Sequence, residues 1–178
     1  TTRKVLHHVE LAWGNPGFPC PPKPIPHAGP NLAFGCFTDT NGVVISPRHG
    51  GIAFSANGGT HDVSVIDVDK AVAGAKDAEA ARFIVGTNNP SAASRPFAVA
   101  FTPDGKTLLV SNFRANNLSF VDVEKALAGG LGAEVARLAL ATPDGRPSRP
   151  RGIAITPDGK YAAITGAPRG QPGSGVLW

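Results

Sequence analysis

The sequence predicts an all-β protein assembled from repeated four-stranded antiparallel sheets, and three observations carry this. A unit of about 55 residues recurs: Ser94-Arg95-Pro96-Phe97-Ala98-Val99-Ala100-Phe101-Thr102-Pro103-Asp104-Gly105-Lys106 returns 54 positions on, from Ser148 to Lys160, with nine of thirteen residues identical. A second segment, Ser64 to Gly74, returns 55 positions on, from Ser119 to Gly129. The third observation is composition: 22 Gly and 17 Pro in 178 residues, with 17% charged and 42% hydrophobic, match a turn-rich β protein better than a helical bundle or a disordered chain.

Residues 1–40 precede the recognisable repeat. Within them Val9 to Trp13 could form the last strand of a preceding sheet, and the seven prolines between Pro16 and Pro30 predict an extended surface loop. Residues 41–86 form the first unit, with Val43-Val44-Ile45-Ser46-Pro47 in the register of Val99 to Pro103.

The second unit, 97–141, is the clearest. Phe97 to Thr102 is a short apolar β-prone run. Pro103-Asp104-Gly105-Lys106 is a turn in which Pro presets φ and Gly allows it to be positive, and Thr107 to Asn112 returns as the second strand of a hairpin. Asn117 to Asp122 alternates as a third strand, Val123 to Gly130 has helical composition, and Glu134 to Ala141 supplies a fourth strand. The third unit, 150–178, repeats the hairpin and stops within its third strand. Sheets of this size repeated radially make a β-propeller, in which each blade buries its faces against its neighbours.

The run Arg95-Pro96-Phe97-Ala98-Val99-Ala100-Phe101-Thr102-Pro103-Asp104-Gly105-Lys106-Thr107-Leu108-Leu109-Val110-Ser111-Asn112, followed by Asn117-Leu118-Ser119-Phe120-Val121-Asp122, resembles the YVTN-repeat β-propeller family. The family's Tyr-Val-Thr-Asn is Phe54-Ser55-Ala56-Asn57, Leu109-Val110-Ser111-Asn112 and Ala163-Ile164-Thr165-Gly166 in the three units, and the link between third and fourth strands is longer than usual. The resemblance covers Gly42 onward and implies about three blades of a larger ring, seven-bladed in the expected case. Three blades cannot close, so the expected partners are missing blades, from the rest of a longer chain, a partner subunit or self-association.

No apolar stretch approaches the ~18 residues that cross a bilayer, and the N-terminus carries no signal-peptide core. The absence of Met, position 1 included, indicates a processed, excised or incomplete product. Cys20 and Cys36 lack metal-ligand spacing and flank the proline-rich stretch. They are read as a disulfide worth roughly 3 kcal/mol of loop restriction in an oxidising compartment, the alternative being two buried thiols in a reducing one. With the resemblance, this points to a periplasmic or extracellular protein.

Antiparallel strands return the chain to the same end after every second strand. The segments leading into the blades and the loops after the second strands therefore gather at one end, where propellers usually bind ligands around the channel. Arg95, Arg114, Arg149, Arg169 and His61 fall there, and guanidinium forks suit carboxylates and phosphates, so an anionic small molecule or an acidic protein surface is expected. Alternatively Arg95 and Arg149 tie blades together through backbone carbonyls.

The five histidines, at 7, 8, 27, 49 and 61, are expected to be solvated, with no metal site, because His49 and His61 lie at opposite ends of one strand. The repeated turn aspartates Asp104 and Asp158 are explained by turn chemistry alone. With no catalytic set and no cofactor assignable, the expected function is a binding scaffold. The alternatives are part of a quinoprotein- or copper-type propeller oxidoreductase, or a lactonase-type hydrolase. Nucleic acid is not expected, since basic and aromatic residues do not interleave along the chain.

Overall fold

A computed structural model describes residues 7–9, 11, 39–89, 92–142, 144–168 and 175–178. The first sheet comprises β1 (Thr40–Ile45), β2 (Ile52–Asn57), β3 (Asp62–Asp67) and β4 (Glu79–Ile84), with α1 (Val68–Val72) between the last two. The second repeats it with β5 (Pro96–Phe101), β6 (Thr107–Asn112), β7 (Asn117–Asp122), α2 (Val123–Leu127) and β8 (Glu134–Ala139). The third holds β9 (Pro150–Ile155), β10 (Ala162–Gly166) and β11 (Val176–Leu177). Strand order is sequential and every pairing antiparallel, so the chain is an all-β partial propeller of two four-stranded blades and one of three strands.

Local chemistry sets these elements. In the β5–β6 turn, Thr102 Oγ1 donates to Asp104 Oδ1 at 2.7 Å and the Lys106 amide donates to the same oxygen at 3.1 Å, while Gly105 takes φ +65°. The β9–β10 turn repeats this through Thr156 and Asp158 at 2.6 Å. Each short helix is capped by the last residue of the preceding strand: Asp67 accepts from the Lys70 amide, and Asp122 from the Lys125 amide.

The core lies between blades rather than within one. Phe54, Val63, Val65, Phe83 and Val85 of the first blade pack with Leu108, Val110, Val121 and Val123 of the second, and Val99 and Phe101 of β5 close the contact. Phe54 meets Phe101 edge to face, with ring centroids 5.5 Å apart. A second cluster joins Leu109, Leu118 and Leu140 to Ile164, Ile153 and Ile155 of the third blade. The first strands, β1, β5 and β9, lie side by side.

Of the calls on residues 1–40, Val9 and Leu11 carry no strand assignment, and the remainder of the Val9–Trp13 segment, the proline-rich stretch and both cysteines lie outside the described residues. No described helix is long and apolar enough to cross a membrane.

Candidate functional site

The loops between second and third strands are held by one polar network built twice. Asn112, last residue of β6, donates through Nδ2 to Asn117 Oδ1 at 2.8 Å and Ser119 Oγ at 2.7 Å. Ser119 donates to Glu134, which also accepts from Arg137 Nε at 3.0 Å and from the Gly86 amide of the inter-blade link at 2.9 Å. In the first blade Asn57 donates to Asp62 Oδ1 at 2.9 Å and Ser64 Oγ at 2.7 Å, and Ser64 to Glu79 at 2.6 Å. The third blade has Gly166 at this place and cannot build the network. Buried and hydrogen-bonded, these asparagines fix loops 58–61 and 113–116 against the strands.

Those loops meet the segments leading into the blades, where the backbone is strained in a repeating way. Asp39, Arg95 and Arg149, at equivalent positions, take φ of +43°, +53° and +49°, and His61 and Asn116, also equivalent, take +66° and +56°. A left-handed conformation costs a non-glycine residue about 1–2 kcal/mol, so packing must impose it. The ties start from backbone amides: the Phe113 amide donates to the Arg95 carbonyl at 2.9 Å, and the Arg149 amide to the side-chain Oδ1 of Asn116 at 3.0 Å. Gly58 sits where the first blade's loop touches the next blade, and a Cβ there would lie 3.3 Å from both Arg95 Cγ and the Pro96 carbonyl oxygen.

This backbone delivers a cluster of guanidinium groups over two phenyl rings. Arg95, Arg149 and Arg151 stand 5.7, 5.4 and 5.4 Å from the centroid of Phe113, and Arg151 stands 5.6 Å from that of Phe97. The rings are 6.1 Å apart. Arg95 also lies 3.5 Å from the Asp39 carboxylate. Held against the rings, these groups concentrate positive charge in one place, and guanidinium forks suit oxyanions.

The structure thus brings Arg95 and Arg149 together on one ring, with Arg114 on the adjoining loop, while Arg169 lies outside the described residues. The expectation of solvated histidines is corrected at His61, which is 1% exposed. Its left-handed backbone turns the ring inward under the lead-in to the second blade, and Ser94 Oγ donates to its carbonyl at 3.3 Å. Burial, with Arg114 and Arg95 nearby, holds the ring below the usual histidine pKa, against the Gly58 carbonyl, which favours protonation. His49 sits in the β1–β2 turn beside Ser46 and pairs with Glu124 of the next blade at 3.2 Å, and His7 and His8 are exposed.

Sequence reasoning did not single out Arg151, Phe97 or Phe113. A signal existed: Arg151 stands at the repeat position of Phe97, a cation exchanged for a ring in otherwise matched segments. The basic and aromatic residues that do not interleave along the chain do so in space. Among the described residues no group of three or more His, Cys, Asp or Glu could hold a metal ion. A groove of about 490 Å³ between the outer parts of the first two blades shares none of the cluster's residues.

No protein-family model matches the chain, and no curated protein matches it. Solved structures do. Hydrazine synthase from Kuenenia stuttgartiensis is similar over 78% of this chain and 32% of its own, with 23% identity and a TM-score of 0.57. The periplasmic gluconolactonase of Pseudomonas aeruginosa is similar over 72% and 34%, with 19% identity and a TM-score of 0.56. Virginiamycin B lyase from Staphylococcus aureus is similar over 79% and 41%, with 15% identity and a TM-score of 0.50. The chain thus spans between 32% and 41% of these propeller-type proteins, and at such identity the likeness concerns the fold.

Proposed function

We propose that the chain is the ligand-binding part of a larger β-propeller that takes an anionic molecule, or an acidic protein surface, at the channel end bearing its arginine cluster. The observation that carries this reading is the stacking of Arg95, Arg149 and Arg151 on Phe113 and Phe97, which orients several cations toward one place. Titration calorimetry with sulfate tests it. Replacing Arg149 or Arg151 by Ala lowers affinity by at least about tenfold each, since a charge-assisted hydrogen bond is worth roughly 1.5–3 kcal/mol. Affinity unchanged in both variants would remove the site.

The partner is a blade of the same repeat on each open face. Val43 and Ile45 are 67% and 62% exposed, whereas Val99 and Phe101 at the same repeat positions pack on the preceding blade. Tyr161 and Leu177 are exposed on the far side of the third blade. A ring completed by further blades, seven in all, covers both. Native mass spectrometry of the protein from its source checks this: a species near 18.2 kDa would argue against an assembled ring, and a larger one supports it. A periplasmic or extracellular location agrees with pairing of Cys20 and Cys36, which alkylation before and after reduction reads directly.

A further inference from the structure

His61 is a buried titratable group of the candidate site standing where the second blade has Asn116. At the equivalent place in the second blade, Asn116 is fully used: its amide accepts from the Arg149 amide at 3.0 Å and donates to the Arg114 carbonyl at 3.1 Å. His61 takes the same left-handed backbone and is 1% exposed, yet neither Nδ1 nor Nε2 has a hydrogen-bond partner of good geometry. A buried imidazole without a well-formed hydrogen bond is costly to keep, and a smaller Asn would satisfy the same turn.

Two charges act on it, from two segments. Arg95 belongs to the lead-in to β5, Arg114 to the β6–β7 loop, and Asp39, before β1, meets Arg95 at 3.5 Å. Asp62, next in sequence, is turned to Asn57, Thr60 and Arg82. The ring therefore lies close to Arg95 of the guanidinium cluster and to Arg114 on the adjoining loop, and both oppose its protonation.

We propose that His61 couples this site to protons: a dianionic oxyanion bound across the guanidinium cluster draws a proton onto the imidazole, so the site prefers dianions and holds them more tightly as pH falls. The inference rests on the anion-binding reading above. A dianion cancels the field of Arg95 and Arg114 at the ring and adds negative charge over it, so binding and protonation favour each other reciprocally. A monoanion leaves part of that field in place and couples less.

The test uses the 178-residue chain and sulfate, which stays a dianion between pH 5 and 8. The ring-proton resonance of His61 is titrated with and without saturating sulfate, and sulfate affinity is measured across the same range in wild type and in His61→Asn, the residue the second blade uses. The expected result is an upward move of about one pH unit in the His61 midpoint, matched by about a tenfold rise in sulfate affinity toward pH 5 that is absent from His61→Asn. Arg114→Gln, an exposed change, reduces the shift and keeps the coupling readable if His61→Asn does not fold. Sulfate binding with the same pH profile in wild type and His61→Asn, or an unmoved His61 midpoint at saturation, overturns the coupling and leaves the anion site standing. Failure of sulfate to bind the wild type at any of these pH values overturns both.

Discussion

The first and second blades share one repeat, most plainly in Ser64 to Gly74 and Ser119 to Gly129, and differ in what surrounds them. In the second, Val99 and Phe101 lie against Phe54 of the preceding blade; in the first, Val43 and Ile45 in the same register face outward. The polar networks diverge as well. Asn117 of the second blade donates to the Gly86 carbonyl at 3.0 Å, whereas Asp62 of the first is a buried carboxylate 3.4 Å from Arg82. Repeat position thus sets the direction of a side chain, and the neighbouring blade sets whether that direction is a core or a surface.

Truncation at the blade interface breaks the comparison most forcefully. Phe54→Ala removes a fully buried ring and is expected to cost about 3–5 kcal/mol in urea unfolding, while Ile45→Ala, on the open face, costs less than about 0.5 kcal/mol. An equal cost at Ile45 would mean that the open face is covered in solution.

Next comes the loop anchor. Asn112→Ala leaves Asn117 Oδ1 and Ser119 Oγ without their shared donor and should destabilise by about 2 kcal/mol, with faster hydrogen exchange in residues 113–116. Unchanged exchange there would detach the network from the arginine site.

A third prediction concerns Asp62. Burial raises its pKa above the ordinary carboxylate value, and Arg82, shared with Glu79, offsets this only in part. A raised folded pKa means the native state holds the proton more tightly, so the contribution to stability is present below the unfolded pKa and is lost as pH rises through the folded one. Unfolding free energy measured from pH 3 to 7 should therefore depend less on pH in Asp62→Asn than in wild type; an identical profile would show that Asp62 is not the group responsible.

The smallest effect belongs to the turns. Asp104, held below the usual carboxylate range by hydrogen bonds from Thr102 and the Lys106 amide, contributes stability that is lost as pH falls through its depressed pKa. Asp104→Ala should remove that slight acid dependence, visible as a shallower acid-unfolding curve, with no change near neutrality beyond the lost turn contacts.

Much of the fold was legible because its signals are local. Strand alternation, the Thr-Pro-Asp-Gly turns and the capping aspartates act within a few residues, and the repeat shows them more than once. The site was legible in part. Arg95, Arg114 and Arg149 follow from which loops share an end of the sheet, but Phe113 as their common platform and the contribution of Arg151 do not. His61 misled sequence reading for a related reason, since histidine in a Gly-Gly-Thr loop has the composition of a solvated turn.

By itself the sequence determined the element order, the hairpin registers and the radial repetition, all consequences of backbone preferences and of period-two patterning within short segments. The tertiary structure decided what became of the side chains: residues 95, 113, 149 and 151 meet because blades stack side by side and impose left-handed backbone where they touch. Burial of His61 has the same origin. Its environment comes from a segment more than thirty residues away, whose Ser94 hydroxyl donates to its carbonyl in a contact that no local pattern encodes.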